Sequence, residues 1–231
     1  MVTKGTNAPA SSGDTPPIHF CAMPTGARIA YSVIGEGAPL VWAAPWFNMG
    51  AAQAIARQFP WGEYTSVLDL GTAEGNLPVQ VARTHPHVSG IGFDLPPLAP
   101  VFAEYVSAHD LEPRLRFHAG DFLKDPLPSA DVVVMGMILH DWDLDEKRVL
   151  IAKAYATLPP GGALIVYDTV IDDDRRQHAF GLLMSLNMLI ETLGGFDYTA
   201  ADCIGWLTDA GFRETAVEPL TGPMSMVVGI K

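Results

Sequence analysis

A chain of 231 residues, 48% of them apolar, can bury one large core and still carry a short attachment. Its formal charge of −12 lacks the basic footprint that a nucleic-acid or anionic-membrane partner needs. Two distant cysteines, Cys21 and Cys203, point to a reducing compartment and so to the cytoplasm, and no run approaches the roughly 20 apolar residues of a membrane span.

Residues 1–17 are small and polar, end in Pro16-Pro17 and hold no apolar stretch of the signal-peptide kind, so a disordered tail is expected. Residues 18–45 are expected to form a β-hairpin extension packed on the main domain. Strands are predicted at 18–21 and 27–34, a turn at 35–39 and a third apolar run at 40–44. This stretch resembles the opening strands of α/β-hydrolases, but the chain has no G-x-S-x-G elbow to carry that chemistry.

Apolar residues at helical spacing predict a helix over 47–59, stopped by Pro60. A strand at 66–70 then breaks into the turn Gly71-Thr72-Ala73-Glu74-Gly75 and a helix over 75–84. Further strands are predicted at 88–94, 114–118, 131–139 and 162–167. Helices are predicted at 96–109, 143–158, 177–192 and from 199 to about 210. The 131–139 run is apolar nearly throughout, as a central parallel strand is. Asp143 and Thr199 are predicted helix caps, and Gly194-Gly195 a helix stop. Two last strands, 212–219 and 224–230, close as a hairpin. Five β/α units and a hairpin predict one α/β domain over 46–231, an open, mostly parallel, Rossmann-like seven-stranded sheet.

In such a sheet ligands sit outside the carboxyl ends of the strands. Those ends carry Asp69, Asp94, Asp121 beside Phe122, His140 with Asp141 and Trp142, and Asp168. Gly71 permits the tight turn, and Gly75 leaves room for a close approach. Asp94 lies 25 residues beyond Asp69, where a carboxylate takes the two hydroxyls of a ribose. Asp121 can accept from an amino group, and Phe122 can cover a flat base. The turn lacks G-x-G-x-x-G, so an adenosine without pyrophosphate suits it better than a dinucleotide. No metal is expected. His85-Pro86-His87 is the only close histidine pair, and it falls in a helix-to-strand loop at the opposite edge.

Residues from about 46 onward resemble the catalytic domain of S-adenosylmethionine-dependent small-molecule O-methyltransferases of the caffeate, hydroxyindole and bacterial polyketide type. The matching pieces are Phe47-Asn48, the Asp69–Gly75 turn, Gly92-Phe93-Asp94-Leu95-Pro96, Gly120-Asp121-Phe122, Leu139-His140-Asp141-Trp142-Asp143, Leu158-Pro159-Pro160-Gly161-Gly162 and Gly194-Gly195-Phe196-Asp197-Tyr198-Thr199. The resemblance implies the class I methyltransferase fold and S-adenosyl-L-methionine as cofactor. It implies as acceptor a hydroxyl of a small aromatic or polyketide-like molecule, a task of secondary metabolism. Asp69, Gly71, Asp94, Leu95, Asp121 and Phe122 would hold the cofactor. His140 would be the general base, with Asp168 and Asp197 flanking it. The chemistry agrees: a phenol of pKa about 10 is a poor nucleophile at neutral pH, and a histidine near about 6.5 can take its proton as oxygen attacks the sulfonium methyl.

Three departures stand out. Asp197 occupies a position where Glu is usual, so its reach is one methylene shorter. Gly136, four before His140, stands where Lys or Arg is frequent, and Thr72-Ala73 replaces Gly-Gly. Family members also usually carry an N-terminal helical domain that dimerises and helps close the acceptor pocket, and this chain has the hydrolase-like stretch there. The alternative reading is therefore a cofactor-binding remnant that serves as a partner subunit, and the oligomeric state is left open.

Overall fold

The computed structural model describes residues 19–22, 28–31 and 47–231, with side chains from residue 50. The expectations for residues 1–17 and for the apolar run at 40–44 lie outside the described residues. Strands β1 (His19–Ala22) and β2 (Arg28–Tyr31) pair antiparallel, with His19 opposite Tyr31.

The larger unit, Pro45–Lys231, holds the remaining elements. In chain order these are α1 (Phe47–Gln58), β3 (Ser66–Leu70), α2 (Asn76–Thr84), β4 (Ser89–Asp94), α3 (Ala99–Ser107), β5 (Leu115–Ala119) and β6 (Val132–Gly136). They continue with α4 (Leu144–Thr157), β7 (Ala163–Asp168), α5 (Ala179–Glu191), α6 (Ala200–Ala210), β8 (Glu214–Pro219) and β9 (Ser225–Ile230). The seven strands β3 to β9 form one sheet in the order β5-β4-β3-β6-β7-β9-β8. β3 to β7 run parallel, and β9 and β8 close the edge antiparallel.

Both faces of this sheet are covered, and the period-2 alternation of a strand sorts each side chain to one of them. On one face Val133, Met135, Leu164 and Val166 pack with Leu150 and Ile151 of α4 and Cys203 and Leu207 of α6. On the other, Val132, Val134, Ala163 and Ile165 pack with Ala51 and Ile55 of α1 and Leu77 and Val81 of α2. This double burial is why the central strands read as unbroken apolar runs. The strand order reverses between β3 and β6, and that switch point is where an open α/β sheet leaves a crevice.

Three predicted bounds shift, each for a physical reason. The fourth strand of the main sheet ends at Gly136 instead of 139. Met137 turns into the left-handed region at φ 54°, and Leu139–Asp141 wind into a single 3₁₀ turn. The apolar run had misled because Leu139 is fully buried in a turn, where apolarity carries no strand signal. The helix predicted at 96–109 divides into a 3₁₀ turn, Pro96–Leu98, and α3. The helix predicted at 177–192 starts later, because Asp172 takes the backbone N–H groups of Arg176, Gln177 and His178 and holds that segment as a loop.

The predicted caps are present. Asp143 accepts from Glu146 N at 2.9 Å, and Thr199 accepts from Asp202 N at 3.0 Å, each in a reciprocal capping box. On α5 the apolar stripe is split. Gly181, Met184 and Met188 face inward, while Leu183, Leu186, Leu189 and Ile190 stand exposed.

Candidate active site

The turn after β3 is built around Gly71, whose φ of 70° suits glycine. A Cβ there would lie 2.2 Å from Ile138 Cδ1, so the residues before His140 close directly over the turn. Gly71 N–H and Thr72 N–H both donate to Phe93 O, at 2.9 and 3.3 Å. Ala73 takes a left-handed φ of 49° where it replaces glycine, and its N–H donates to Asp94 Oδ2 at 2.8 Å. Leu95 N–H donates to Asp94 Oδ1 at 2.7 Å. Asp94 thus ties the end of β4 to the turn after β3, with lone pairs left for a further donor. At Gly75 the Phe102 ring comes within 2.7 Å of where a Cβ would sit. This glycine serves the packing of α3.

Asp69 is buried at the end of β3. Burial raises its carboxyl to about 7, the Asp94 charge adds to this, and the Thr72 hydroxyl opposes it. Burial likewise raises Asp94. Two neighbouring carboxyls held this way gain most from a cationic or hydrogen-bond-donating ligand. Leu95 is exposed beside them. Asp121 accepts from Leu123 N at 3.0 Å and pairs with Lys124 at 2.7 Å, and the lysine keeps its carboxyl below the usual range. Asp121 therefore caps its own turn. Phe122 packs edge-on to Trp142 with ring centres 5.8 Å apart, and it lies over the Gly71 turn.

His140 stands on the 3₁₀ turn and is buried. Its Nδ1 lies 3.3 Å from Asp197 Oδ1 and 4.0 Å from Asp168 Oδ1, so both predicted aspartates address the same ring nitrogen. The short Asp197 side chain does reach, at the long end of hydrogen-bond range. It is fixed by Thr169, whose hydroxyl donates to Oδ1 at 3.0 Å, and by its own N–H, which donates to Ser185 Oγ at 3.1 Å. Asp168 accepts from the Tyr198 hydroxyl. Nε2 faces Asp141 at 3.4 Å, a carboxylate that is partly open to solvent. Burial alone would lower the imidazole's proton affinity. The charge of Asp168, the Asp197 hydrogen bond and the Asp141 charge outweigh it and raise the pKa to about 9. Burial pushes Asp168 up to about 7 against the pull of His140. Among the described residues, Asp168 Oδ1, Asp197 Oδ2, Trp142 Nε1 and Asn187 Nδ2 are buried without a hydrogen-bond partner.

Two residues were missed by the sequence reading. Lys147 is fully buried on α4, and the signal was there: Lys147, Leu150, Ile151 and Ala154 recur at helical spacing, and all four are buried. Tyr167 stands opposite Gly136 in the β6–β7 register, and its ring fills the space a side chain at 136 would need, 2.0 Å from the Cβ position. Burial, then the charges of Asp69 and Asp168, push its phenol above the ordinary range, which places Tyr167 between the two halves of the site. Clefts of about 260 and 370 Å³ open elsewhere, one beside β8 and β9 and one at the amino-terminal edge near Ser66, Ser89 and Arg114. Neither gathers these aspartates. His85 and His87 bond to Ala56 O and Trp61 O, away from the site.

The architecture is the α/β fold of class I methyltransferases. It is similar to human N-acetylserotonin methyltransferase in complex with SAM, with TM-score 0.72 and 29% identity, covering 78% of this chain and 51% of that one. It is also similar to PigF with SAH, with TM-score 0.74 and 26% identity, covering 80% of this chain and 56% of that one. The O-methyltransferase domain profile matches residues 49–213, and the chain belongs to the O-methyltransferase family. Among relatives, the tetracenomycin polyketide synthesis 8-O-methyl transferase TcmO of Streptomyces glaucescens is 45% identical over 184 residues, covering 80% of this chain and 54% of that protein. The N,N-dimethyltransferase OxyT of Streptomyces rimosus is 50% identical over 187 residues, with the same coverage. The chain spans about half the length of these relatives. Among the described residues no helix is long and apolar enough to cross a membrane.

Proposed function

We propose that this chain transfers a methyl group from S-adenosyl-L-methionine to a hydroxyl of a small aromatic or polyketide-like molecule, with His140 as general base, in the cytoplasm. The observation that carries the reading is the buried His140, with Asp197 and Asp168 on Nδ1, beside the Gly71 turn at the sheet's switch point. Family membership and the solved relatives that hold SAM or SAH support it. The residues present suit the cofactor. The raised, buried Asp69 suits an ammonium. The half-buried Asp94 suits ribose hydroxyls, and Phe122 suits one face of the base. Leu95 would border the base, and Asp121 retains acceptor capacity beyond its turn for the exocyclic amine.

When bound, the cofactor supplies a sulfonium methyl as electrophile. The chain's own part is to hold the acceptor oxygen in line and to remove its proton. Asp197 fixes the imidazole through Nδ1, which leaves Nε2 to take the proton, and Asp168 stabilises the imidazolium that results. Asp141 must turn toward solvent to clear Nε2, and its partial exposure allows this. Trp142 Nε1 and Asn187 Nδ2 offer buried donors for polar groups of the acceptor. A second acceptor atom is favoured by one observation: OxyT is an N,N-dimethyltransferase, so an aromatic amine belongs in the test panel.

Purified protein is incubated with labelled cofactor and a panel of phenols and aromatic amines. His140→Gln is expected to lower transfer by about 10²–10⁴-fold while leaving the cofactor-induced rise in melting temperature intact. Transfer by the variant at the wild-type rate would sink the base assignment. A thermal shift without transfer to any member of the panel would favour the reading as a cofactor-binding partner subunit, and no shift at millimolar cofactor would sink the cofactor assignment.

A further inference from the structure

Lys147 stands among the same carboxylates that surround His140. Its ammonium donates to Trp142 O and stands 3.6 Å from the centre of the Phe196 ring and 5.8 Å from that of Tyr198. The first contact grips the turn that carries His140. The others grip the segment that carries Asp197. An ammonium without counter-charge would not remain fully buried in such a box of rings. What keeps it there is a set of carboxylates within electrostatic reach: Asp168 from β7, Asp197 from the segment before α6, and Asp143 and Asp141 from the turn before α4. His140 faces three of the same four, Asp168, Asp197 and Asp141. Asp168 also meets Tyr198 and Cys203, and Asp141 also meets Glu191 of α5. One imidazole and one ammonium therefore share a single pool of negative charge.

We propose that Lys147 is a positioning residue for methyl transfer: it clamps the His140 turn to the Asp197 segment, and its charge keeps the imidazole readier to lose its proton than the aspartates alone would allow. The inference rests on His140 acting as the base. A fixed cation disfavours a second cation nearby, so Lys147 offsets part of what Asp168, Asp197 and Asp141 do to the ring. Burial in turn lowers the proton affinity of Lys147 itself, to about 8, against the pull of those carboxylates. The two groups answer to the same carboxylates, so titration of one is expected to register at the other.

Lys147→Met keeps the length and apolar volume of the side chain and removes its charge. Carbon-13 spectroscopy of labelled histidine rings follows His140 without turnover, with His140→Gln identifying the signal. In Lys147→Met the His140 midpoint is expected to rise by roughly half a pH unit, about threefold in proton affinity. The rising limb of the transfer rate against pH should move the same way, and Lys147→Arg should restore both. An unmoved midpoint in a folded Lys147→Met variant overturns the proposal. Should that variant not fold, the wild type decides: the Lys147 Cε signal is expected to shift in step with the imidazole. A single step near the free-lysine value of about 10.4 overturns the proposal. A moved midpoint in a protein that transfers no methyl group sinks the methyl-transfer reading instead, so the two failures are told apart.

Discussion

A histidine that faces two buried carboxylates gives up its proton later than one in water. His140 is held at about 9, so the neutral ring, the form able to accept a proton, becomes more abundant as pH rises. The transfer rate is therefore expected to climb from pH 6.5 toward 9. Asp168 contributes the largest of the opposing charges that hold the proton on. Asp168→Asn should shift this limb toward acid by about one pH unit while lowering the maximum rate, because the imidazolium loses its stabilising charge. A limb that stays put in the variant would mean that another group limits the rate. Asp69 makes a parallel prediction for binding. Its carboxyl is half-ionised near about 7, so it meets an ammonium better at pH 8 than at pH 6. The thermal shift produced by S-adenosylmethionine is expected to grow across that interval. Asp69→Asn should flatten the dependence and weaken binding by roughly ten- to a hundredfold, the size of a lost charge-assisted hydrogen bond. Isothermal titration at both pH values measures each effect.

At the scale of elements, the proposed cofactor half of the site depends on backbones and rings packed closer than side chains would permit. Gly92 on β4 is the clearest case. A Cβ there would lie 2.3 Å from Phe102 Cε2 and 2.6 Å from Thr72 Cγ2, which pins α3 and the β3 turn to the same strand. Gly92→Ala should cost about 1–3 kcal/mol. A fall in melting temperature of roughly 3–10 °C, read by circular dichroism, is the corresponding signal. An unchanged value would show that Phe102 yields freely. Such contacts explain what the chain could and could not declare in advance. The succession of strands and helices along the chain, the caps at Asp143 and Thr199 and the gathering of Asp69, Asp94, His140 and Asp168 at one edge were legible, because periodicity and strand-end position carry them. Asp197 was legible only through resemblance, since it reaches Nδ1 from a segment 57 residues on. The end of β6 was not legible, because buried Leu139 looks the same in a strand and in a turn. Nor was the pairing of Gly136 with Tyr167: Gly136 read as a missing cation, whereas in space it is the gap that a ring from the next strand occupies.

For the whole molecule, the same groups set how stability depends on pH. The Asp69 and Asp168 carboxyls are raised from 3.8 to about 7, so the stability they contribute is complete below the unfolded value and is lost as pH climbs through 7. The His140 imidazole is raised from 6.5 to about 9, so its share is complete below 6.5 and is lost on the way to 9. Lys147 has the opposite sign, being lowered from 10.5 to about 8, and it returns stability only above 8. On the acid side, Asp121 and Asp131 have lowered values and lose their contribution as pH falls below the ordinary carboxylate range. These directions place the most stable ligand-free state well below neutrality, near the ordinary carboxylate range of about pH 4. The formal charge of −12 pushes the same way, because its self-repulsion eases as carboxylates take up protons. With the coupled groups sharing their effect, roughly 2–4 kcal/mol should be lost between pH 5.5 and 8, or about 5–15 °C in melting temperature. Scanning fluorimetry in matched ionic strength measures this directly, and Asp69→Asn combined with Asp168→Asn should remove most of the slope. A melting temperature that is level or rising over that interval would mean that the buried carboxyls are ionised in the folded state, and that a counter-charge already sits beside Asp69.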